Sequence, residues 1–126
     1  MSTILIVEDN EKNLKLVRDI LRHQGHKTLE AVTGGEGVRL AREHKPDLVL
    51  MDIQLPDIDG ITALRRIRED AALDAMPVLA VSASVMPDEQ QKIVASGFDD
   101  YITKPIVLKS FVETVQRFLA QGRRHP

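Results

Sequence analysis

Four short stretches of this 126-residue chain put chemically capable side chains directly behind apolar runs. Glu8-Asp9-Asn10 follows Ile4-Leu5-Ile6-Val7, and Asp52 closes Leu48-Val49-Leu50-Met51. Ser82 follows Pro77-Val78-Leu79-Ala80-Val81, and Lys104 follows Tyr101-Ile102-Thr103. Three carboxylates brought to one place repel one another and resist full ionisation unless a cation offsets them. Hard divalent cations take such oxygen ligands, and Mg²⁺ with one or two carboxylates and retained waters fits best. A hydroxyl and an ammonium beside the acids would complete a site for a phosphate group and its metal. Taken singly, each residue has an ordinary role. An acid after a strand caps the next helix, Ser82 would be a turn residue, Lys104 a solvated lysine, and Pro105 the first residue of a helix. The convergence of four run ends on one chemistry argues for a site.

That convergence requires the runs to be strands of one sheet. Ile4–Val7 is apolar on both faces, as a strand inside a parallel sheet should be. Asp9 or Asn10 then caps a helix with Leu14, Leu16, Val17, Ile20 and Leu21 on one broad face, ending at Gly25. Lys27–Ala31 alternates more weakly and suits a sheet edge. A second helix, from about Gly35 to His44, is the poorest because glycines stand at 34, 35 and 37. After Pro46 comes the Leu48–Met51 strand, then a third helix from about Ile58 to Glu69. The Pro77–Val81 strand leads to a helix from Pro87 to Gly97, whose apolar anchors are chiefly Ile93 and Val94. Asp100–Thr103 is the fifth strand. The last helix sets Leu108, Phe111, Val112, Val115, Phe118 and Leu119 on one stripe.

Five alternating βα units predict an α/β fold, a doubly wound, five-stranded parallel sheet in the order 2-1-3-4-5. Strands 1 and 3 then lie together where the winding reverses, and a ligand crevice opens at their carboxyl ends, where Glu8, Asp9 and Asp52 stand. The chain reads as one domain over 1–126, with a core of about 3–119, a tail at 120–126 and no output domain. With 17 Lys and Arg against 19 Asp and Glu, the net charge of −2 gives no support to nucleic acid or an anionic membrane surface as a partner. The absence of cysteine excludes disulfides, thiolate metal sites and cysteine nucleophiles. No basic leader and no apolar stretch of about 18 residues is present, so the expectation is a soluble, cytoplasmic protein. His23, His26, His44 and His125 share no ligand spacing and are expected on the surface.

The blocks Ile4–Asn10, Leu50-Met51-Asp52-Ile53-Gln54-Leu55-Pro56 with Gly60, Val81-Ser82-Ala83 and Tyr101-Ile102-Thr103-Lys104-Pro105 resemble, in order and spacing, the signature of the response-regulator receiver domain. The likeness runs from about Thr3 to Leu119 and is greatest to the stand-alone kind, although receivers attached to hybrid kinases carry similar blocks. The resemblance implies a bacterial two-component or phosphorelay protein, with Asp52 accepting a phosphoryl group from a phosphohistidine on a histidine kinase or phosphotransfer protein. It implies Mg²⁺, or alternatively Mn²⁺, held by Asp9, Asp52 and the main-chain carbonyl of Gln54, with Glu8 acting through water. Lys104 and Ser82 would meet the phosphoryl oxygens. Ser82 and Tyr101 would form the switch, Gln54 and Ser84 would tune the lifetime of the aspartyl phosphate, and helix 4, strand 5 and helix 5 would present the face for a downstream protein. Leu14, beside the acids, is a candidate contact for the phosphodonor or a partial core residue. Glu8-Asp9 stands where many receivers have two aspartates, and Ser82 where many have threonine; both are tolerated variants.

Other readings remain open at this level. Asp57-Ile58-Asp59-Gly60-Ile61-Thr62 superficially matches the nucleophile block of haloacid-dehalogenase-type phosphatases, but that chemistry needs the first Asp directly after an apolar strand, and here the run stops at Asp52. A flavin-binding domain of the flavodoxin kind shares the strand order, yet Glu8-Asp9-Asn10-Glu11 would repel its phosphate, and one Tyr with no Trp offers little to sandwich the ring. A receiver that binds partners independently of phosphorylation is the remaining alternative.

Overall fold

A computed structural model describes residues 2–83 and 86–122. The strands are β1 (Thr3–Val7), β2 (Lys27–Ala31), β3 (Leu48–Asp52), β4 (Val78–Ser82) and β5 (Asp100–Thr103). They alternate with α1 (Glu11–His23), α2 (Gly34–His44), α3 (Gly60–Arg68), α4 (Pro87–Ala95) and α5 (Leu108–Gln121), and a 3-10 turn, Ala71–Leu73, precedes β4. All neighbours in the sheet are parallel and the order is β2-β1-β3-β4-β5, as the βα alternation predicts. β2 is the half-exposed edge strand, whereas every residue of β3 and β4 is buried.

Because side chains alternate along a strand, β1, β3 and β4 feed two cores. Leu5, Val7, Val49, Met51, Val78 and Ala80 pack with Val38 and Ala41 of α2, Ala63, Leu64 and Ile67 of α3, and Ile93 of α4. Ile4, Ile6, Leu48, Leu50, Leu79 and Val81 face Leu14, Val17 and Leu21 of α1 and Phe111, Val115 and Phe118 of α5. Burying each of the larger side chains contributes roughly 1.5–3 kcal/mol, so the two-sided burial of the central strands is what fixes the positions of their ends.

The helix termini follow local capping chemistry. Asn10 caps α1 by accepting from Asn13 N at 3.1 Å, and Asp59 caps α3 by accepting from Thr62 N at 2.7 Å. That cap places the start of α3 at Gly60, two residues after the expected Ile58. Thr33 accepts from Glu36 N while Glu36 reaches back to Val32 N, so α2 begins with a reciprocal cap despite its glycines. α5 continues to Gln121, past the expected tail boundary at 120.

Several expected core positions differ. Leu16 is 44% exposed because it lies about 200° round α1 from Leu14, off the buried stripe. Val94 is exposed, leaving Ile93 as the buried anchor of α4. Leu108 is exposed at the first residue of α5; periodicity defines a face but not how far neighbouring elements cover it. His23 and His44 are exposed as expected, but His26 is half-buried with Nδ1 enclosed and without a hydrogen-bond partner. Burial lowers its pKa. His125 lies outside the described residues.

Candidate active site

The parallel register carries the polar residues to one rim. Val7 stands beside Met51, so Glu8 and Asp52 leave adjacent strands at the same level. Asp52 pairs with Val81, and Ser82 with Thr103, which brings Ser82 and then Lys104 to that rim. Backbone bonds carry the ladder past the strands: Glu8 N to Ala31 O at 2.9 Å, Ile53 N to Val81 O at 3.2 Å, and Lys104 N to Ser82 O at 2.9 Å. The side chains therefore rise from a fixed platform.

At the centre, Lys104 Nζ lies 3.0 Å from Glu8 Oε1 and 3.2 Å from Asp52 Oδ2. Glu8 and Asp52 are buried, while Asp9 is exposed at the mouth. Each of the three acids offers a carboxylate oxygen, and these lie within 4.8 Å of one another. Among the described residues no other group of His, Cys, Asp and Glu gathers in this way. Asp52 Oδ1 accepts from Gln54 N at 3.0 Å, which orients the carboxylate, and Asn10 N donates to Glu8 Oε2 at 3.3 Å.

Electrostatics register the crowding. Burial first, and the neighbouring Asp52 second, push the Glu8 carboxyl up to about 7 even though Lys104 offsets part of the rise. Burial of the Lys104 ammonium pulls its pKa down, but its hydrogen bond to Glu8 and the fields of Asp52 and Glu8 outweigh that, and the result is upward. One ammonium leaves the three-acid cluster short of positive charge. A hard divalent cation would supply the rest, and the donor set, all oxygen, fits Mg²⁺.

A cleft of about 520 Å³ opens over these groups. Gln54 lines it, as do Asn13, Leu55 and Pro56, which sequence reasoning did not assign to the site. Asn13 was findable, since it lies in the first turn of the helix that the acids precede. The turn after β3 is tight at Gly60: a Cβ there would lie 2.6 Å from the Asp52 carbonyl oxygen, so only glycine permits this approach. Pro105 lies in the turn before α5, not at the helix start, and the Lys104-Pro105 bond is cis.

Among the other expected residues, Ser82 is buried at the end of β4, on the strand that neighbours Asp52, whereas Ser84 lies outside the described residues. Leu14 is 8% exposed and belongs to the α1–α5 core. Tyr101 is half-buried on β5, with one flank against α4 in a groove of about 470 Å³ lined by Pro87, Gln90, Gln91, Val94 and Ala95. Asp57 is three residues beyond Gln54 and away from the strand end, so the dehalogenase-type reading has no nucleophile in position.

Comparison with known proteins agrees with this geometry. Residues 4–116 match the response regulator receiver domain family. The chain is 43% identical over 120 residues to the polar-differentiation response regulator DivK of Brucella anthropi, covering 95% of this chain and 98% of that protein. Among solved structures, a response regulator from Chloroflexus aurantiacus superposes with a TM-score of 0.90 at 28% identity, covering 94% of this chain and 98% of the other. The receiver domain of a sensor histidine kinase from Pseudomonas aeruginosa, crystallised with magnesium in its active-site cleft, gives a TM-score of 0.88 at 30% identity with the same coverage. With the sheet order, the acid cluster at its carboxyl rim and these likenesses in agreement, the chain belongs to the response-regulator receiver domain family.

Proposed function

We propose that Asp52 is the phosphoacceptor of a phosphorelay switch. The observation that carries this reading is the Glu8-Asp9-Asp52 cluster with Lys104 set against it. An Asp52 carboxylate oxygen attacks phosphorus, the P–N bond of a phosphohistidine on a kinase or phosphotransfer protein breaks as the P–O bond forms, and the imidazole leaves with the bonding pair. The product is a mixed anhydride on Asp52. Asp9, Asp52 and the Gln54 carbonyl would hold Mg²⁺, with Mn²⁺ an alternative, and Glu8 would act through water. Bound there, the ion supplies positive charge to the phosphoryl oxygens.

The chain's own groups do the rest. The Gln54 amide holds one Asp52 oxygen, which limits the rotation of the carboxylate. Lys104, already at ion-pair distance, meets a phosphoryl oxygen, and the Ser82 hydroxyl meets another. Gln54, exposed at the cleft, and Ser84, two residues past Ser82, would set how readily water reaches the acyl phosphate. Movement of Ser82 toward the phosphoryl group and of the Tyr101 ring inward would alter the face formed by α4, β5 and α5, through which a protein partner reads the state. The similarity to the response regulator DivK supports a receiver that a protein partner reads. No described helix is long and apolar enough to cross a membrane.

Incubation with acetyl phosphate and Mg²⁺, followed by intact mass, should give one labile phosphate adduct that Asp52→Asn lacks while keeping its fold. An adduct forming at the same rate on Asp52→Asn would overturn the assignment.

A further inference from the structure

Asp57 has no part in the phosphoacceptor chemistry, yet its carboxylate is among the most firmly engaged on the surface. Oδ1 accepts from Gly34 N at 2.7 Å and Oδ2 from Gly35 N at 2.9 Å. These amides open α2, and the first turn of a helix has no backbone acceptors of its own. Thr33 serves Glu36 N, so the two donors left in that turn are taken by a side chain from a different element, the loop between β3 and α3. The pairing is strong enough to hold the Asp57 carboxyl down at about 2, the Gly35 and Gly34 amides being the main causes.

The loop is held at both of its ends. Near the sheet, Gly60 N donates to Ile53 O at 2.9 Å and Gln54 N to Asp52 Oδ1 at 3.0 Å. At the tip, Ile58 packs against Gly34 so closely that a Cβ on Gly34 would lie 2.5 Å from Ile58 Cγ1. Between the tip and Gln54 stands Pro56, whose ring fixes φ and whose predecessor is restricted as well, so Leu55-Pro56 transmits displacement. A loop of this length would otherwise flex, and Gln54 is the residue of it proposed to offer a main-chain oxygen to the cation.

We infer that Asp57 is a positioning residue which, by clamping the β3–α3 loop to the amino end of α2, holds the Gln54 carbonyl where the cation needs it; this rests on the proposed metal site. The clamp acts on metal affinity before any phosphoryl chemistry, so its effect is readable without turnover.

The test is Mg²⁺ titration of the intact protein by calorimetry, beside thermal melts without metal and hydrogen exchange of residues 53–56. Asp57→Ala should raise the Mg²⁺ dissociation constant about tenfold, the scale on which outer partners of metal ligands act, and should speed exchange at Gln54 and Leu55. Asp57→Asn, which keeps one of the two acceptor oxygens and loses the charge, should recover only part of the affinity and fall between wild type and Asp57→Ala. Gly34→Ala changes no charge but pushes Ile58 and the loop tip away, and should weaken Mg²⁺ binding as Asp57→Ala does. Unchanged affinity in Asp57→Ala with only a lower melting temperature would reduce the contact to a structural one and overturn the inference. Equal weakening in Asp57→Asn and Asp57→Ala, with Gly34→Ala unaffected, would assign the effect to charge and overturn it too. A wild type that binds Mg²⁺ with the expected variant pattern but takes up no phosphate would sink the phosphorelay reading and leave the clamp standing. A wild type that binds no Mg²⁺ would sink both.

Discussion

The Lys104 ammonium nitrogen stands 3.2 Å from Asp52 Oδ2, joining residues 52 apart in sequence across the carboxyl rim of the sheet. The same nitrogen is 3.0 Å from Glu8, so one cation holds two buried carboxylates together. Lys104 is therefore a structural counter-charge here, and in the proposed switch it would also meet a phosphoryl oxygen.

Removing that counter-charge tests both roles. Lys104→Met should destabilise the metal-free protein by about 1–3 kcal/mol, the cost of leaving a buried charged partner unsatisfied. Mg²⁺ should restore much of the melting temperature, because a cation at the acids replaces the lost charge, while phosphoryl uptake from acetyl phosphate stays slow. Thermal melts with and without Mg²⁺ check the first part and intact mass over time the second. A variant as stable as wild type in the absence of metal would show that the acids do not need Lys104.

The sheet and most of the site were legible because they rest on signals that a single chain carries. Continuous apolar runs ending in Asp52 and in Glu8-Asp9, and the Tyr101-Ile102-Thr103-Lys104-Pro105 block, fix strand ends, and parallel pairing brings strand ends together. Leu16 and Leu108 are exposed despite their place in the apolar pattern, because hydrophobicity marks a candidate face without showing what covers it. The start of α2 was readable after all in Thr33-Gly34-Gly35-Glu36, a reciprocal capping pattern that the glycines obscured. Asp57 was out of reach, since its partners are backbone amides 22 and 23 residues away, and such a contact leaves no mark in residue types.

Leu14 can be tested for packing against partner contact, with the exposed Leu16 as its control. Leu14, buried among the strand residues beneath α1, should lose roughly 2–5 kcal/mol of stability on substitution by alanine. Its phosphoryl uptake should change equally with kinase and with acetyl phosphate. Leu16→Ala, at an exposed position of the same helix, should leave stability within about 0.5 kcal/mol and serves as the control. Urea unfolding and paired transfer rates make the comparison. A Leu14→Ala protein of normal stability that is slow with the kinase alone would restore Leu14 as a contact.

Acid should release the clamp at Asp57. The carboxyl lies near 3.8 by nature and at about 2 in the folded protein, so the folded state holds the charged form preferentially. Its stabilisation is complete above 3.8 and is lost as pH falls toward 2. The difference in melting temperature between wild type and Asp57→Ala should therefore be constant near neutrality, narrow below about pH 4 and shrink further toward pH 2. Melts across that range read the difference. A gap that persists undiminished at pH 2 would show that the carboxylate charge does not strengthen the contact with the α2 amides.

Tyr101 reports the switch through composition alone. It is the single tyrosine in a chain without tryptophan, so the intrinsic emission of the protein comes from one ring. That ring is half-buried and faces the groove along α4, an element with Ile93 as its buried anchor and Val94 exposed. Few anchors make α4 an element of low local stability, able to shift without disturbing either core. In the proposed switch the Ser82 hydroxyl moves to a phosphoryl oxygen and the ring turns into the space released, burying the phenol further. Beryllofluoride with Mg²⁺, standing in for the phosphoryl group on Asp52, should change tyrosine emission in wild type. It should leave emission unchanged in Asp52→Asn, and Ser82→Ala should bind beryllofluoride with a reduced emission change. Constant emission from a wild type shown by fluorine resonance to hold beryllofluoride would mean that the ring stays in place and that the face of α4, β5 and α5 is remodelled without it.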